Sequence, residues 1–360
     1  MKKVLTLFLL TLGCVANAAT LDEMIGQMVL VGFKGTEISS PAYKTLKKQI
    51  KKSQVGGVII LKHNVQNKDQ ITLLMNDLKS IKTTSPLFIG LDQEGGIVHI
   101  LGEENGFKNH LSAYKTAQTK STSEAYEMYY DLANMCKNMG FNLNFAPNVD
   151  LLINKNSIIA KKERGFSENP TIVTDYAREA LKAHYNNRVI TSLKHFPGHG
   201  SPTGDTHKGL VNASDTWSDI ELIPYKELYN NNPLQMIMIS HIYVDKLDNE
   251  YPASLSKTVV NDILRKQIGF NGVVITDDLQ MGAIRENYSL EEIVINAINA
   301  GDDILMFSNY FYEDYKTPIK IQRIIKKAIK DKKIKKEQIK ESYNRILILK
   351  QQLKTCTEIK

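Results

Sequence analysis

Eight short apolar runs punctuate this chain: Val29–Phe33, Gly57–Leu61, Leu87–Leu91, Phe141–Ala146, Ile190–His195, Met236–His241, Val273–Thr276 and Ile304–Phe307. Each is rich in Val, Ile, Leu, Phe or Met, and each reads as a strand buried on both faces, as in a parallel sheet. Between them, apolar positions recur at helical spacing. Ser40–Lys52, Asn67–Ile81, Ser123–Met139, Asn169–Asn186, Ser256–Ile268 and Ser289–Ala300 read as helices, and Lys316–Lys354 as two more. Several carry capping residues: Ser123, Asn169 before Pro170, and Ser289 with Glu292 three positions on.

Strands alternating with helices predict an α/β fold, either a closed barrel or an open doubly wound sheet. No glycine-rich phosphate turn follows the first strand, which weakens a dinucleotide reading. Eight strands favour a single (β/α)8 TIM-type barrel with extra C-terminal helices. No linker, repeat or low-complexity segment interrupts the pattern, so residues 19–360 read as one domain.

The first eighteen residues follow another logic. Lys2 and Lys3 precede an apolar stretch from Val4 to Val15, and Ala16-Asn17-Ala18 supplies small residues at a cleavage site. That is a secretory signal peptide over residues 1–18. The stretch is too short for a spanning helix, and no later stretch is long and apolar enough to cross a bilayer. A periplasmic or secreted location is the expectation, with a lipoprotein anchor at Cys14 as the alternative. Cleavage would leave Cys136 and Cys356. Cys136 falls in a helix pattern and reads as a small core residue, with a disulfide between the two as the other reading.

The formal net charge is +7. Much of it comes from Lys47–Lys52 and Lys326–Lys336, where apolar residues recur between the lysines at helical spacing. These read as solvated helix faces rather than a polyanion-binding surface. A single tryptophan and the lack of a nucleic-acid motif argue against nucleic acid as a partner. No metal-ligand spacing is present, and no cofactor is implied.

In a barrel, reactive side chains gather at the C-terminal ends of the strands. Polar residues cluster there. Asp92-Gln93-Glu94-Gly95-Gly96 follows the third strand, and Lys194-His195-Phe196-Pro197-Gly198-His199-Gly200, then Asp205-Thr206-His207, follow the fifth. Ser240-His241 follows the sixth and Thr276-Asp277-Asp278 the seventh. Carboxylates and imidazoles serve nucleophilic and acid–base chemistry. From the residues alone, Asp277 and Asp278 are near-equivalent nucleophile candidates, and Asp205-Thr206-His207 also fits a surface turn.

The run KHFPGHG at 194–200 followed by DTH at 205–207, together with DQEGG at 92–96, ERGFSENP at 163–170 and GVVITDDLQMGAI at 272–284, resembles the family 3 glycoside hydrolases in content and order. Within that family it resembles above all the bacterial β-N-acetylglucosaminidase branch. The resemblance runs from Leu21 to about Asn309. It implies a (β/α)8 barrel, a carbohydrate substrate and double displacement at the anomeric carbon.

By the same resemblance, Asp277 matches the nucleophile, and Asp205 with His207 matches a dyad acting as acid and base. Residues two apart on an extended loop point the same way, which lets the carboxylate hold the imidazole in one tautomer. Asp92, Arg164, Lys194 and His195 match sugar-binding residues. His199 and Glu94 read as loop-shaping, and His241 as either pocket-lining or a satisfied core histidine. The glycines and prolines between Pro197 and Gly204 suit a mobile active-site loop or an awkward turn.

One departure stands out. The family commonly carries arginines where this chain has Ile97 and Ile100, and that change removes a bidentate donor. His99 and Lys62 are candidates to compensate. The implied activity is removal of non-reducing terminal β-N-acetylglucosamine from peptidoglycan fragments or chitooligosaccharides. A phosphorolytic variant, a β-glucosidase and a weakly catalytic sugar-binding barrel are the competing readings.

Overall fold

The computed structural model describes residues 19–231 and 236–353. The expected signal peptide, Cys14 and Cys356 lie outside the described residues. All eight expected strands form: β1 Val29–Val31, β2 Gly57–Ile59, β3 Phe88–Leu91, β4 Leu143–Asn144, β5 Ile190–Phe196, β6 Met236–Ile239, β7 Val273–Thr276 and β8 Leu305–Phe307. Neighbours pair in parallel in the order β8-β1-β2-β3-β4-β5-β6-β7. A parallel bridge between Ile275 and Ile304 joins β7 to β8 and closes the ring. Every residue of these strands is buried, as continuous apolar strands covered by helices must be.

β5 runs one residue past its expected end, to Phe196. Its pairing with β6 shifts register between Leu193 and Phe196, the stretch that contains the cis peptide Lys194–His195. The ladder is thus irregular at Lys194 and His195 and resumes at Phe196.

The helices fall where the periodicity puts them, with corrections at the ends. The helix expected from Ser123 begins at Thr122, and its N-cap is Ser121. Ser121 Oγ accepts from Glu124 N at 3.3 Å, and Glu124 Oε2 accepts from Ser121 N at 2.7 Å. This reciprocal pair satisfies two otherwise orphaned donors, and Ser123 has no acid three residues on to match it. Ser289 and Glu292 form the same box. The Ser256–Ile268 pattern winds as a π-helix over Thr258–Gln267.

Short helices that the periodicity did not reveal include Leu21–Gln27, Ala113–Thr119 and Ile223–Asn231. The first helps close the N-terminal end of the barrel against the last helix, Lys336–Gln351. From that last helix Lys350 reaches inward. Its ammonium donates to Gln27 Oε1 and Gly56 O, both at 2.6 Å, and lies 4.5 Å from the Phe88 ring centroid. Cys136 is a fully buried core residue whose thiol burial pushes up to about 12. Among the described residues, no helix is long and apolar enough to cross a membrane.

Candidate active site

The C-terminal face of the barrel gathers the polar side chains. At the end of β7 two adjacent carboxylates have opposite surroundings. Asp278 is buried, and its Oδ1 accepts from the backbone N–H groups of Gln280 and Ser308, each at 3.1 Å. Its Oδ2 takes a short hydrogen bond from the Ser308 hydroxyl. Burial raises its pKa to about 6. Asp278 thus ties β7 to the loop after β8.

Asp277 is partly open to solvent. Among the described residues its carboxylate accepts one protein bond, from Asp278 N to its Oδ1 at 2.8 Å, and its own N–H is held by Ile239 O at 2.8 Å. Burial opposes its ionisation, but His241, His195 and His207 around it outweigh that and hold the carboxyl below its ordinary value. Asp277 is therefore the anionic, accessible member of the pair.

His207 arrives from the long segment between β5 and β6. That segment is pinned at its start: Trp217 Nε1 donates to Pro197 O at 3.2 Å, and His199 N donates to Asp150 Oδ1 at 2.8 Å. Gly200 lies so close to Leu151 that a Cβ would sit 1.8 Å from its carbonyl oxygen. Further on, Ala283 N donates to Thr206 O at 3.2 Å, which seats the dyad on the segment that follows Asp277.

There His207 Nδ1 lies 2.6 Å from Asp205 Oδ1. Burial of Asp205 favours the neutral acid, but its bonds with His207 hold it below the usual carboxylate range. The contact assigns the Nδ1 proton to the Asp205 side, and the His207 side chain is 49% exposed. Its Nε2 has no protein partner among the described residues.

The remaining expected residues form one largely buried charge cluster, whose His195 reaches Asp277 electrostatically. Arg164 grips Glu94 with two bonds, Nε to Oε2 at 2.9 Å and Nη2 to Oε1 at 2.7 Å. Lys194 Nζ sits 2.7 Å from Glu94 Oε1 and 2.6 Å from Asp92 Oδ1. Burial opposes the charge on Glu94, yet Arg164 and Lys194 hold it far below the ordinary range. Lys194 is raised because Asp92 and Glu94 outweigh its own burial. Of the four, Asp92 is the most open to solvent. Glu94 thus locks the two cations, while Asp92 and the edges of the cations can meet a ligand.

His195 Nδ1 lies 2.7 Å from Asp150 Oδ2, and its Nε2 is 3.4 Å from Arg164 Nη2. Asp150 is fully buried, and burial opposes its ionisation. His195 outweighs that and keeps it anionic. His241 is satisfied at both ring nitrogens, by Ser254 Oγ at 2.8 Å and Asp278 O at 3.0 Å, and burial lowers its pKa. It is both a satisfied core histidine and a wall beside Asp277.

Ile97 points outward and Ile100 packs into the core. Near them Lys62, His99 and Glu104 meet: Lys62 Nζ is 2.6 Å from Glu104 Oε1 and 3.4 Å from His99 Nε2. The two residues named as candidates to compensate for the missing arginines share one rim cluster between the β2 and β3 loops.

The model of the glycosyl hydrolase family 3 N-terminal domain matches residues 20–349. The chain belongs to glycosyl hydrolase family 3. Among family relatives, beta-hexosaminidase A of Pseudoalteromonas piscicida is 32% identical over 93% of this chain and 61% of its own length. The beta-hexosaminidase of Tolumonas auensis is 32% identical over 71% of this chain and 76% of its own. A family 3 beta-N-acetylglucosaminidase from Paenibacillus sp. str. FPU-7 superposes with a TM-score of 0.86 at 29% identity, covering 95% of this chain and 64% of that one. The chain thus spans less than two thirds of the length of the first of these relatives.

Two members of the site escaped the reading of the sequence. Asp150, the partner of His195, sits on the loop after β4 with no local motif around it, and only the Asn148-Val149-Asp150 polar interruption after a strand marks it. Ser308, which occupies Asp278, lies one residue past β8 and carries no chemical signature.

Proposed function

We propose that this barrel is a retaining β-N-acetylglucosaminidase acting on non-reducing terminal residues of peptidoglycan fragments or chitooligosaccharides. One observation carries the reading: an accessible, ionised Asp277 lies in the electrostatic reach of a His207 whose ring is oriented by Asp205. In the first step the Asp277 carboxylate attacks the anomeric carbon. The glycosidic C–O bond breaks, and its electron pair takes the Nε2 proton of His207. In the second, neutral His207 removes a proton from water, the water oxygen attacks the same carbon, and Asp277 leaves. Two inversions give net retention.

Asp92, Lys194, His195 and Arg164 orient the sugar hydroxyls through charge-assisted bonds, on a scaffold that Glu94 and Asp150 keep rigid. Export by the N-terminal segment would put the enzyme in the periplasm or outside the cell, in reach of wall fragments and environmental oligosaccharides.

The test is turnover of para-nitrophenyl β-N-acetylglucosaminide and of a peptidoglycan digest, with the first product followed by NMR. Release of the β-anomer of N-acetylglucosamine supports the proposal. No turnover with tight glycan binding, or an initial α-anomer, overturns it. Formation of a sugar 1-phosphate when phosphate is added would instead identify a phosphorolytic enzyme.

A further inference from the structure

The loop after β8 carries three consecutive exposed aromatic residues, and two of them, Tyr310 at 53% and Phe311 at 39% exposure, have no role in the core that explains them. They are not isolated. Phe311 lies against the dyad imidazole, with ring centroids of Phe311 and His207 5.5 Å apart. Tyr310 meets Phe311 edge to face at 5.0 Å. On its other side Tyr310 stacks on His63 at 5.7 Å, with the rings 20° apart. His63 is itself fixed by Phe33 O, 3.0 Å from its Nε2. A continuous aromatic wall therefore runs along the rim from the β2 loop, across the β8 loop, to the acid/base histidine. Tyr312 takes no part in these ring contacts; the Arg285 guanidinium lies 5.7 Å from its ring centroid instead.

We propose that Tyr310 and Phe311 form the platform for the sugar on the leaving-group side of the scissile bond. The inference rests on the function proposed above. His207 must touch the glycosidic oxygen, so a surface packed against its ring borders the leaving group rather than the sugar that Asp277 attacks. A pyranose chair with equatorial substituents, such as the second residue of a β-1,4-linked N-acetylglucosamine chain, presents only axial C–H bonds on its faces. Those weakly positive hydrogens suit the negative face of an aromatic ring, and stacking removes apolar area from water on both partners. The phenol of Tyr310 leaves a polar tip at the solvent edge, as a sugar platform at a wet rim requires. The wall is also braced at both ends, by His63 and by His207, so little ordering is left to occur on binding.

The test compares two substrates with alkoxide leaving groups that need the same protonation. Methyl β-N-acetylglucosaminide has an aglycone too small to stack, and chitobiose has a full pyranose. Kcat/KM is measured for both with wild type, Tyr310→Ala and Phe311→Leu. The platform predicts that each variant lowers the chitobiose-to-methyl ratio of kcat/KM, by about ten-fold for Tyr310→Ala, mostly through KM. An unchanged ratio in both variants overturns the platform while leaving the glycosidase reading intact. Equal loss on both substrates also overturns it and makes Phe311 a positioning residue for His207. Failure of the wild type on both substrates removes the glycosidase reading, and the platform falls with it.

Discussion

His207 Nδ1 and Asp205 Oδ1 stand 2.6 Å apart on a segment anchored to the residues that follow Asp277. The pair is oriented before any substrate arrives. With Nδ1 committed, the ring can exchange a proton only through Nε2, which is what the proposed acid and base roles require. His207→Ala should therefore lower kcat/KM for alkyl glycosides by about 10²–10⁴-fold. Substrates with strongly acidic phenol leaving groups should lose much less in the first step. Asp205→Asn should show the same dependence on leaving group with a smaller loss. A plot of log kcat/KM against leaving-group pKa checks this, and an equal loss across the series would remove His207 from the acid role.

The proposed nucleophile Asp277 and its neighbour Asp278 should separate chemistry from stability. Asp277→Ala should lower turnover by at least about 10⁴-fold. It should leave the melting temperature near wild type, since among the described residues the carboxylate accepts a single protein bond, from Asp278 N. Asp278→Ala leaves Ser308 Oγ and two backbone N–H groups without their acceptor in the interior. That should cost about 1–3 kcal/mol of stability. Thermal melts and steady-state rates on both variants decide the assignment, and a reversed pattern would exchange their roles.

Glu94 is the counter-charge to two buried cations, Arg164 and Lys194. Glu94→Ala would leave Lys194 to Asp92, and Arg164 to the more distant charges of Asp150 and Asp92, in a low-dielectric site. Removing one partner of such a cluster costs about 3–5 kcal/mol. Glu94→Gln keeps acceptor capacity and should cost less, while raising KM as Lys194 turns wholly to Asp92. Chemical denaturation of the three proteins measures the difference. A cost below about 1 kcal/mol for Glu94→Ala would mean water relieves the cations.

The strands were readable because each is buried on both faces, so its composition needs no help from the rest of the fold. Their order in the ring followed from chain order. Short helices such as Leu21–Gln27 and Ile223–Asn231 were not readable, because fewer than three turns carry too little periodicity. The Ser123 cap was misplaced by two residues because Ser121 and Ser123 both precede the apolar pattern, and the acid at 124 serves only the first. At the site, motif order pointed to Asp277 and the dyad, whereas the hydrogen bonds that occupy Asp278 and not Asp277 come in part from Ser308, across the barrel seam. The pairing of His195 with Asp150 joins β5 to the loop after β4, and a linear pattern does not show which of its polar residues pair.

Glu221 gives the fold a pH dependence of its own. It lies buried beneath the KHFPGHG segment, where its Oε2 accepts from Gly200 N at 3.0 Å, while Oε1 has no hydrogen-bond partner among the described residues. Burial, with the charge on Asp150 adding to it, raises its pKa from 4.5 to about 8, and the buried phenol of Tyr225 is the other titratable group nearby. The folded state therefore holds a proton that the unfolded chain releases near pH 4.5. Its contribution is fully present below that value and is lost progressively as pH rises to about 8. The loss is on the order of 5 kcal/mol. Glu221→Gln keeps the acceptor for Gly200 N and cannot ionise. It should match wild type in melting temperature near pH 4.5 and exceed it by about 3–8 °C near pH 8.5. Parallel melts of the two proteins across that range measure the gap. A gap that stays constant with pH would mean that Glu221 is ionised in the fold and already paired.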